Sequence, residues 1–473
     1  MSTTAQTLAG KRIEALLDDN SFVEIGGLVN ARSTDFNMTN MDTPADGVIT
    51  GYGTIDGSLV YVYSQDAAVL NGSVGEMHAK KITKIYDMAI KMGAPVIGLL
   101  DCAGLRLQEA ADALNAFGEI YLKQTEASGE IPQINAVFGN CGGGLATMTV
   151  LSDFTFMEDK NAKLFVNSPN ALDGNKTEDT ASADFQAKEA GIVDFTGDES
   201  TILSEIRTLV SMLPSNYEDE ALNECQDDLN RICERIENGK GDAAFVLASI
   251  ADDNIFVETK KDYAKEMVTG FIRLNGATIG AVGNRTELFK DGECVERFEN
   301  VLTPDGCEKA ADFIKFCDAF SIPVLSLTDT KGYLATRESE KRMAKAVAKL
   351  TYAFASASVP KVNILTGVAY GSAGVAMNSQ SIGADVTYAW PTASIGMMNA
   401  DLAAKIMYAS QPELIAEKTA EYAAIQDGVL GAARRGYVDS IIEPSDTRKY
   451  VIGAFEMLYS KKAPKADKKH GTV

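Results

Sequence analysis

The sequence predicts an α/β protein built twice on one plan, and three observations carry this reading. Short apolar runs such as "APVIGLLD" and "IPVLSLTD" suit strands buried on both faces. Helix patterns separate successive runs, the alternation that builds largely parallel sheets. The arrangement then recurs. "GAPVIGLLDCAG" begins at Gly93 and "SIPVLSLTDTKG" at Ser321, an offset of 228 residues. "IPQINAVFGNCGGG" begins at Ile131 and "VPKVNILTGVAYGS" at Val359, the same offset of 228. Two ungapped matches at one offset read as a duplicated domain, and the period is far too long for a solenoid. Asp101 aligns with Asp329 and Gly139 with Gly367.

Each copy opens on a helix pattern. In the first, Ile82, Ile85, Met88, Ala89 and Met92 share one face, and "SVGE" (Ser73 to Glu76) reads as a capping box. In the second, Thr303 is the candidate cap, with Pro304 at the first helical position. A buried strand, a second helix, a second strand and a glycine-rich turn follow in both. The acidic stretch Asp198 to Gly241 reads as a mostly helical connection. The expected domains are therefore 1–238 and 239–473.

A chain of 473 residues is too long for one ordinary core. Its net charge of −22 argues against nucleic acid or an anionic membrane surface as partner. An anionic small ligand then needs a local basic patch. No apolar run reaches the length of a membrane span, and "MSTTAQTLAGKRIEALLDD" lacks a signal core, so a cytoplasmic location is expected. The seven cysteines form no Cys-x-x-Cys pair, which leaves zinc ribbons and thioredoxin-like chemistry unsupported; buried free thiols are expected. With only His78 and His470, a Ser-His-Asp triad or a histidine-rich metal site is nearly excluded. No metal is expected.

"GNCGGGLATM" (Gly139 to Met148) and "GVAYGSAGVAM" (Gly367 to Met377) are the candidate site turns. Glycine lets a ligand approach the backbone, and the first amides of the following helix have no helical acceptor. Two such N–H groups aimed at one oxygen make an oxyanion hole. Close packing of helix on strand is the competing reason for glycine here. Neither turn is a Walker loop or a G-x-G-x-x-G fingerprint. Lys80, Lys81 and Lys84 lie on the first helix and Arg106 follows the first buried strand. They are a candidate phosphate cradle, or a solvated basic face.

Together these segments resemble the carboxyltransferase subunits of biotin-dependent acyl-CoA carboxylases and decarboxylases, in the crotonase-like superfamily. The resemblance runs from "GKRIEALLDDNSFVEI" through "PADGVITGYGTIDGSLVYVYSQD", "NGSVGEMHAKKITKIYDMAIKMGAPVIGLLDCAGLRLQE" and "FCDAFSIPVLSLTD". It continues through "GADVTYAWPTASIGMM" and "RRGYVDSIIEP" to the tail "KKHGTV". It implies two crotonase-like ββα-spiral domains, the first for acyl-CoA and the second for biotin, with the working site shared between chains of a homo-oligomer. Carboxyl transfer charges two oxygens, the thioester carbonyl and the ureido carbonyl. The family implies that Gly143 and Gly144 serve the first and Ser372 and Ala373 the second. The implied binding residues are Lys80, Lys81, Lys84, Gly104 and Arg106 on the CoA side, and Tyr370, Gly371 and Val375 on the biotin side. Decarboxylated biotin is the family's base, in keeping with the scarcity of histidine.

Lys91 in "AIKMGAP" lies at a helix end, not in a biotinyl hairpin. A biotin carboxyl carrier protein, and a biotin carboxylase or membrane decarboxylase, are thus expected as separate chains. The chain departs from the family mainly in the second copy. "KGYLATRESE" stands where the family has Pro-Gly-Phe-Leu-Pro-Gly-Thr, and the Arg-His-Gly usual around "MAKAVAKL" is absent. Ser372 stands for a glycine and Val375 for an aspartate. The acyl-CoA (propionyl-, methylmalonyl-, acetyl-, malonyl- or glutaconyl-) and the direction of reaction stay open. So do a biotin-independent crotonase-like enzyme and a degenerate scaffold.

Overall fold

The apolar runs become the central strands of two sheets, one in each of two units, Met1–Ala221 and Leu222–Val473. The structure, a computed structural model, describes residues 6–32, 36, 38, 41–290 and 292–463; His470 and the tail motif "KKHGTV" lie outside the described residues.

The first unit comprises α1 (Leu8–Leu16), β1 (Val23–Glu24), β2 (Val48–Ile55), β3 (Ser58–Gln65), α2 (Glu76–Met92), β4 (Val96–Cys102), α3 (Ala110–Ala127) and β5 (Gln133–Gly142). It continues with α4 (Gly144–Val150), β6 (Phe154–Glu158), β7 (Lys163–Phe165), α5 (Ala183–Lys188), β8 (Phe195–Gly197) and α6 (Glu199–Met212). The sheet order is β1-β2-β3-β4-β5-β6-β8, with β7 also paired to β5. Pairing is antiparallel up to β3 and parallel beyond it. Val96, Ile97, Leu99 and Leu100 are buried, as expected of a strand covered on both faces. On α2, Ile82, Ile85 and Ala89 are buried in the core, Met88 is partly buried and Met92 is exposed. The predicted stripe therefore holds in the middle of the helix and fails at its end.

The expected capping box does not form. Gly75 is the cap and offers no side chain. A Cβ there would overlap the Arg106 guanidinium and the Glu109 carboxylate. Glu109 takes over the task, accepting the Glu76 N–H at 2.6 Å, while Ser73 accepts from Arg106 instead.

The second unit comprises α7 (Ala243–Ile250), β9 (Phe256–Thr259), β10 (Met267–Leu274), β11 (Ala277–Asn284), β12 (Glu287–Lys290), β13 (Glu293–Arg297), α8 (Pro304–Ala319), β14 (Val324–Thr330), α9 (Arg337–Ser356) and β15 (Lys361–Tyr370). Then come α10 (Gly371–Ala376), β16 (Val386–Ala389), β17 (Ser394–Gly396), α11 (Ala400–Met407), α12 (Ile415–Gln426), α13 (Val429–Arg434), β18 (Ser440–Ile441) and α14 (Thr447–Leu458). Its main sheet order is β18-β16-β15-β14-β11-β10-β9, with β17 beside β15. Thr303 caps α8 as expected, accepting the Gly306 N–H at 2.9 Å.

The duplication persists in the ladders. Val96 pairs Gln133 and Val324 pairs Lys361, both shifted by 228. Both ladders break at matching places, between Leu100 and Cys102 and between Thr328 and Thr330. At the preceding hairpins the shift is 219: Val48 pairs Gln65 and Met267 pairs Asn284. The change from 219 to 228 marks extra chain in the second copy. It is accounted for by β12 and β13, a two-stranded sheet inserted between β11 and α8.

A buried lysine is duplicated too. Lys81 Nζ donates to the carbonyls of Ala45, at 2.8 Å, and Val48. Lys309 Nζ, at the matching position of α8, donates to those of Lys260 and Tyr263, each at 2.8 Å. Each ammonium satisfies inward-turned carbonyls of a loop containing positive-φ residues: Ala45 and Asp46 in one, Lys260 and Ala264 in the other. Burial is the main cause that lowers their pKa values, to about 8 for Lys81 and about 7 for Lys309.

The connection is not mostly helical. After α6 no α-helix forms before α7, and the division falls between Ala221 and Leu222, ahead of the expected 238/239. Tertiary contacts claim the backbone of this stretch. Leu222 bridges Ala277, Cys233 N–H donates to Ser445 O at 2.9 Å, and Arg448 Nε takes the Asp228 carbonyl at 3.1 Å.

The depressed pKa of Lys309 has a pH signature. Between about pH 7 and pH 10 the unfolded chain binds more protons there than the folded one, so stability rises with pH. The wild-type advantage over Lys309→Met should therefore grow across that window, by at most about 1.4 kcal/mol per pH unit. Urea unfolding followed by circular dichroism measures it, and a constant difference would mean that Lys309 stays charged in the fold.

Candidate functional site: two glycine turns at strand ends

Each turn starts from a strand-end aspartate. A Cβ on Gly139 would overlap the Asp101 carboxylate, and one on Gly367 would overlap Asp329. The amide of each aspartate is held by a side-chain oxygen from the neighbouring strand, Gln65 Oε1 at 3.2 Å and Asn284 Oδ1 at 3.0 Å. Asp329 also accepts from Asn300 Nδ2 and Val368 N–H, both at 2.8 Å.

The three glycines of "CGGG" have three different reasons. A Cβ on Gly142 would meet the Phe165 ring at 2.8 Å, and one on Gly144 would meet Phe117 at 2.8 Å and Tyr121 Oη at 3.0 Å. Gly143 has open space but adopts φ 63°, ψ −126°, a conformation that side chains strongly disfavour. Packing and backbone geometry thus account for all three.

The structure changes the donor set of the first turn. Gly143 N–H, expected to serve a ligand carbonyl, donates to Phe165 O at 2.9 Å. The N–H groups of Gly144 and Leu145 lie in the first turn of α4 and have no acceptor within their own helix. Shifted by 228 they are Ser372 and Ala373, in the first turn of α10, likewise without an acceptor within their own helix. Leu145 was missed from sequence, although the repeat alone pairs it with Ala373.

Around the second turn, Gly371 takes φ 57°, matching Gly143. Ser372 is exposed, and its Oγ accepts from the Tyr333 hydroxyl at 2.8 Å. Burial first, then the Asp427 carboxylate, pushes the Tyr370 hydroxyl up to about 12. Val375 is 41% exposed on α10.

The expected phosphate cradle is not brought together. Arg106 is 1% exposed and its guanidinium is committed: to Asp46 at 2.5 Å, Glu109 at 2.8 Å and the Ser73 carbonyl at 2.7 Å. Burial raises the Asp46 pKa against the pull of Arg106. Lys81 is committed to the loop carbonyls described above. These bonds withdraw both from the cradle, and nothing in the sequence showed that Asp46 and Glu109 would enclose Arg106. Lys80 and Lys84 are exposed, with Lys80 paired to Glu76 at 2.7 Å. Gly104, at φ 117°, accepts from Val74 N–H at 2.9 Å and lines the turn before Arg106. His78 is buried beside Gln65, and burial pulls its pKa down to about 3.

Five cysteines are buried as expected, but Cys225 is half-buried and Cys294, on the inserted hairpin, is exposed. No described helix is long and apolar enough to cross a membrane. Among the described residues no group of three or more His, Cys, Asp or Glu could hold a metal.

The carboxyl transferase domain family matches residues 3–473. The chain belongs to that family. It is 38% identical to the methylmalonyl-CoA decarboxylase subunit alpha of Veillonella parvula, covering 98% of this chain and 92% of that one. It is 39% identical to the propionyl-CoA carboxylase beta chain of Roseobacter denitrificans, covering 98% and 93%. Among solved structures it matches the transcarboxylase 12S hexamer carrying hydrolysed methylmalonyl-coenzyme A with a TM-score of 0.91 at 34% identity, covering 99% and 93%. The duplicated crotonase-like fold expected from sequence agrees with this match across both units.

Arg106 belongs to the fold by this geometry. Arg106→Gln leaves Asp46 and Glu109 buried without their cation, and the loss should be about 3–5 kcal/mol. Lys84→Glu, on an exposed face, should stay within about 0.5 kcal/mol of wild type. Thermal unfolding of the two variants separates the cases.

Proposed function

We propose that the chain is the carboxyltransferase subunit of a biotin-dependent acyl-CoA carboxylase or decarboxylase, working on the propionyl-CoA/methylmalonyl-CoA pair. One observation carries the reading: a pair of first-turn amides without an acceptor in its own helix occurs twice, at Gly144 and Leu145 and again at Ser372 and Ala373. A transfer between two carbonyl compounds needs two such holes, whereas a hydratase or isomerase needs one. The methylmalonyl-CoA decarboxylase and propionyl-CoA carboxylase relatives bear the names of opposite directions between the same two acyl groups, which supports the pair.

In this reading Gly144 and Leu145 hold the thioester oxygen while its α-carbon gains carbanion character. Ser372 and Ala373 hold the ureido oxygen of biotin brought by a separate carrier protein. The second turn suits a carbonyl, because it offers donors without a carboxylate on the turn itself. Bound biotin supplies an activated carboxyl group and, once that has left, a basic ureido nitrogen. No histidine is then required, in keeping with the buried, neutral state of His78. Lys80 and Lys84 are the cations of the candidate cradle that remain for CoA phosphates. The subunit works in the cytoplasm as a homo-oligomer, with a biotin carboxylase or a membrane decarboxylase setting the direction.

Carboxyl exchange between methylmalonyl-CoA and free biotin tests the activity. Ala373→Pro deletes one donor and should lower kcat roughly 10²–10³-fold. Ala373→Ser keeps the N–H and should stay largely active, and circular dichroism checks that the proline variant folds. Exchange at the wild-type rate in a folded proline variant removes Ala373 from the mechanism. Charge reversal at Lys80 and Lys84 together should raise KM for acyl-CoA with kcat nearly unchanged, the mark of lost uniform binding. An unchanged KM assigns both lysines to the solvated face.

A further inference from the structure

Two positions where the copies differ in chemistry meet at the second turn. The backbone around Tyr333 repeats that around Leu105. Val74 N–H donates to Gly104 O and Arg106 N–H to Val74 O, each at 2.9 Å; Leu302 N–H donates to Gly332 O and Leu334 N–H to Leu302 O, each at 2.9 Å. The same bridges pair Val74 with Leu105 and Leu302 with Tyr333. Tyr333 and Leu105 are therefore equivalent, and so are Ser372 and Gly144. The first copy has no hydroxyl at either place. The second has one at both, and they are bonded at 2.8 Å. These are also two of the positions where the chain departs from the family pattern, Tyr for Phe and Ser for Gly. The two departures are a single interaction.

The direction of that bond matters. A hydroxyl carries one proton. Tyr333 gives its own to Ser372 Oγ, so the serine proton must point to another acceptor. Ser372 is exposed, and its N–H lies in the first turn of α10 with no acceptor in its own helix. We propose that Tyr333 positions the Ser372 hydroxyl as a third donor, beside the two amides, for the ligand oxygen held at the second turn. This rests on the reading that the oxygen is the ureido carbonyl of biotin. Tyr333 is then a positioning residue, acting through Ser372, and the first copy has no counterpart.

Tyr333→Phe, Ser372→Ala and the double variant test it, through carboxyl-exchange kinetics and calorimetric titration with free biotin. Tyr333→Phe should lower kcat about five- to tenfold, the size of one hydrogen bond, with KM for acyl-CoA unchanged. Ser372→Ala should cost at least as much, and the double variant no more than Ser372→Ala alone, because the tyrosine acts only through the serine. Biotin affinity should fall several-fold in both single variants while CoA affinity holds. A wild-type kcat in Tyr333→Phe, or losses that multiply in the double variant, overturns the relay and leaves the carboxyltransferase reading standing. A wild-type protein that binds acyl-CoA but neither binds biotin nor exchanges carboxyl with it overturns the reading of the second turn and the relay together.

Discussion

A carboxylate packed where its neighbour strand has no side chain sets the geometry of both halves. Asp101 fills the space above Gly139, and Asp329 that above Gly367. The regular pairing of β4 with β5, and of β14 with β15, slips beside those aspartates. Gln65 and Asn284 compensate by accepting the aspartate amides. Beyond the slip the outer strand ends in a positive-φ glycine, Gly143 or Gly371, and a short helix begins. The amides of Gly144 and Leu145, and of Ser372 and Ala373, have no acceptor in their own helices because the chain leaves its sheet there and each helix has only begun.

The acidic chain spends several of its cations on holding itself together. Arg106, Lys81 and Lys309 are buried against carboxylates or carbonyls. Arg285 is buried against Asp242 at 2.9 Å and Glu258 at 3.0 Å, and Arg448 against Asp252 at 2.7 Å. Such pairs cost desolvation and contribute little net stability, but losing one partner leaves a buried charge. Pairing with loop backbone gives them their role here. They pin irregular segments that helices and strands cannot hold: the loops before β2 and β10, and the strap from Leu222 onward.

The copies have diverged by addition. The inserted hairpin lengthens the second copy between β11 and α8, and the change in the shift of the repeat marks its place. At the turn itself the second copy gains the paired hydroxyls of Tyr333 and Ser372. The first copy instead gains an aromatic wall, where Phe117 and Tyr121 pack edge to face with each other beside Gly144. One backbone device has thus been given two chemical surroundings.

Sequence by itself determined the duplication, the fold class, the central strands, the cap of α8 and the turns that carry the amides. These follow from local periodicity, glycine and proline chemistry, and a repeat that needs no coordinates to see. Tertiary structure alone decided which donors and cations are free. Gly143 loses its N–H to Phe165, a strand partner that local pattern does not pair with it. Arg106 is paired with Asp46, sixty residues upstream, and with Glu109, which also displaces Ser73 from its cap. The strap reads as helix because its apolar residues are spaced like one, yet Arg448 and Ser445 take its backbone groups. Availability of a polar group depends on everything folded against it, and that is a property of the whole chain in space.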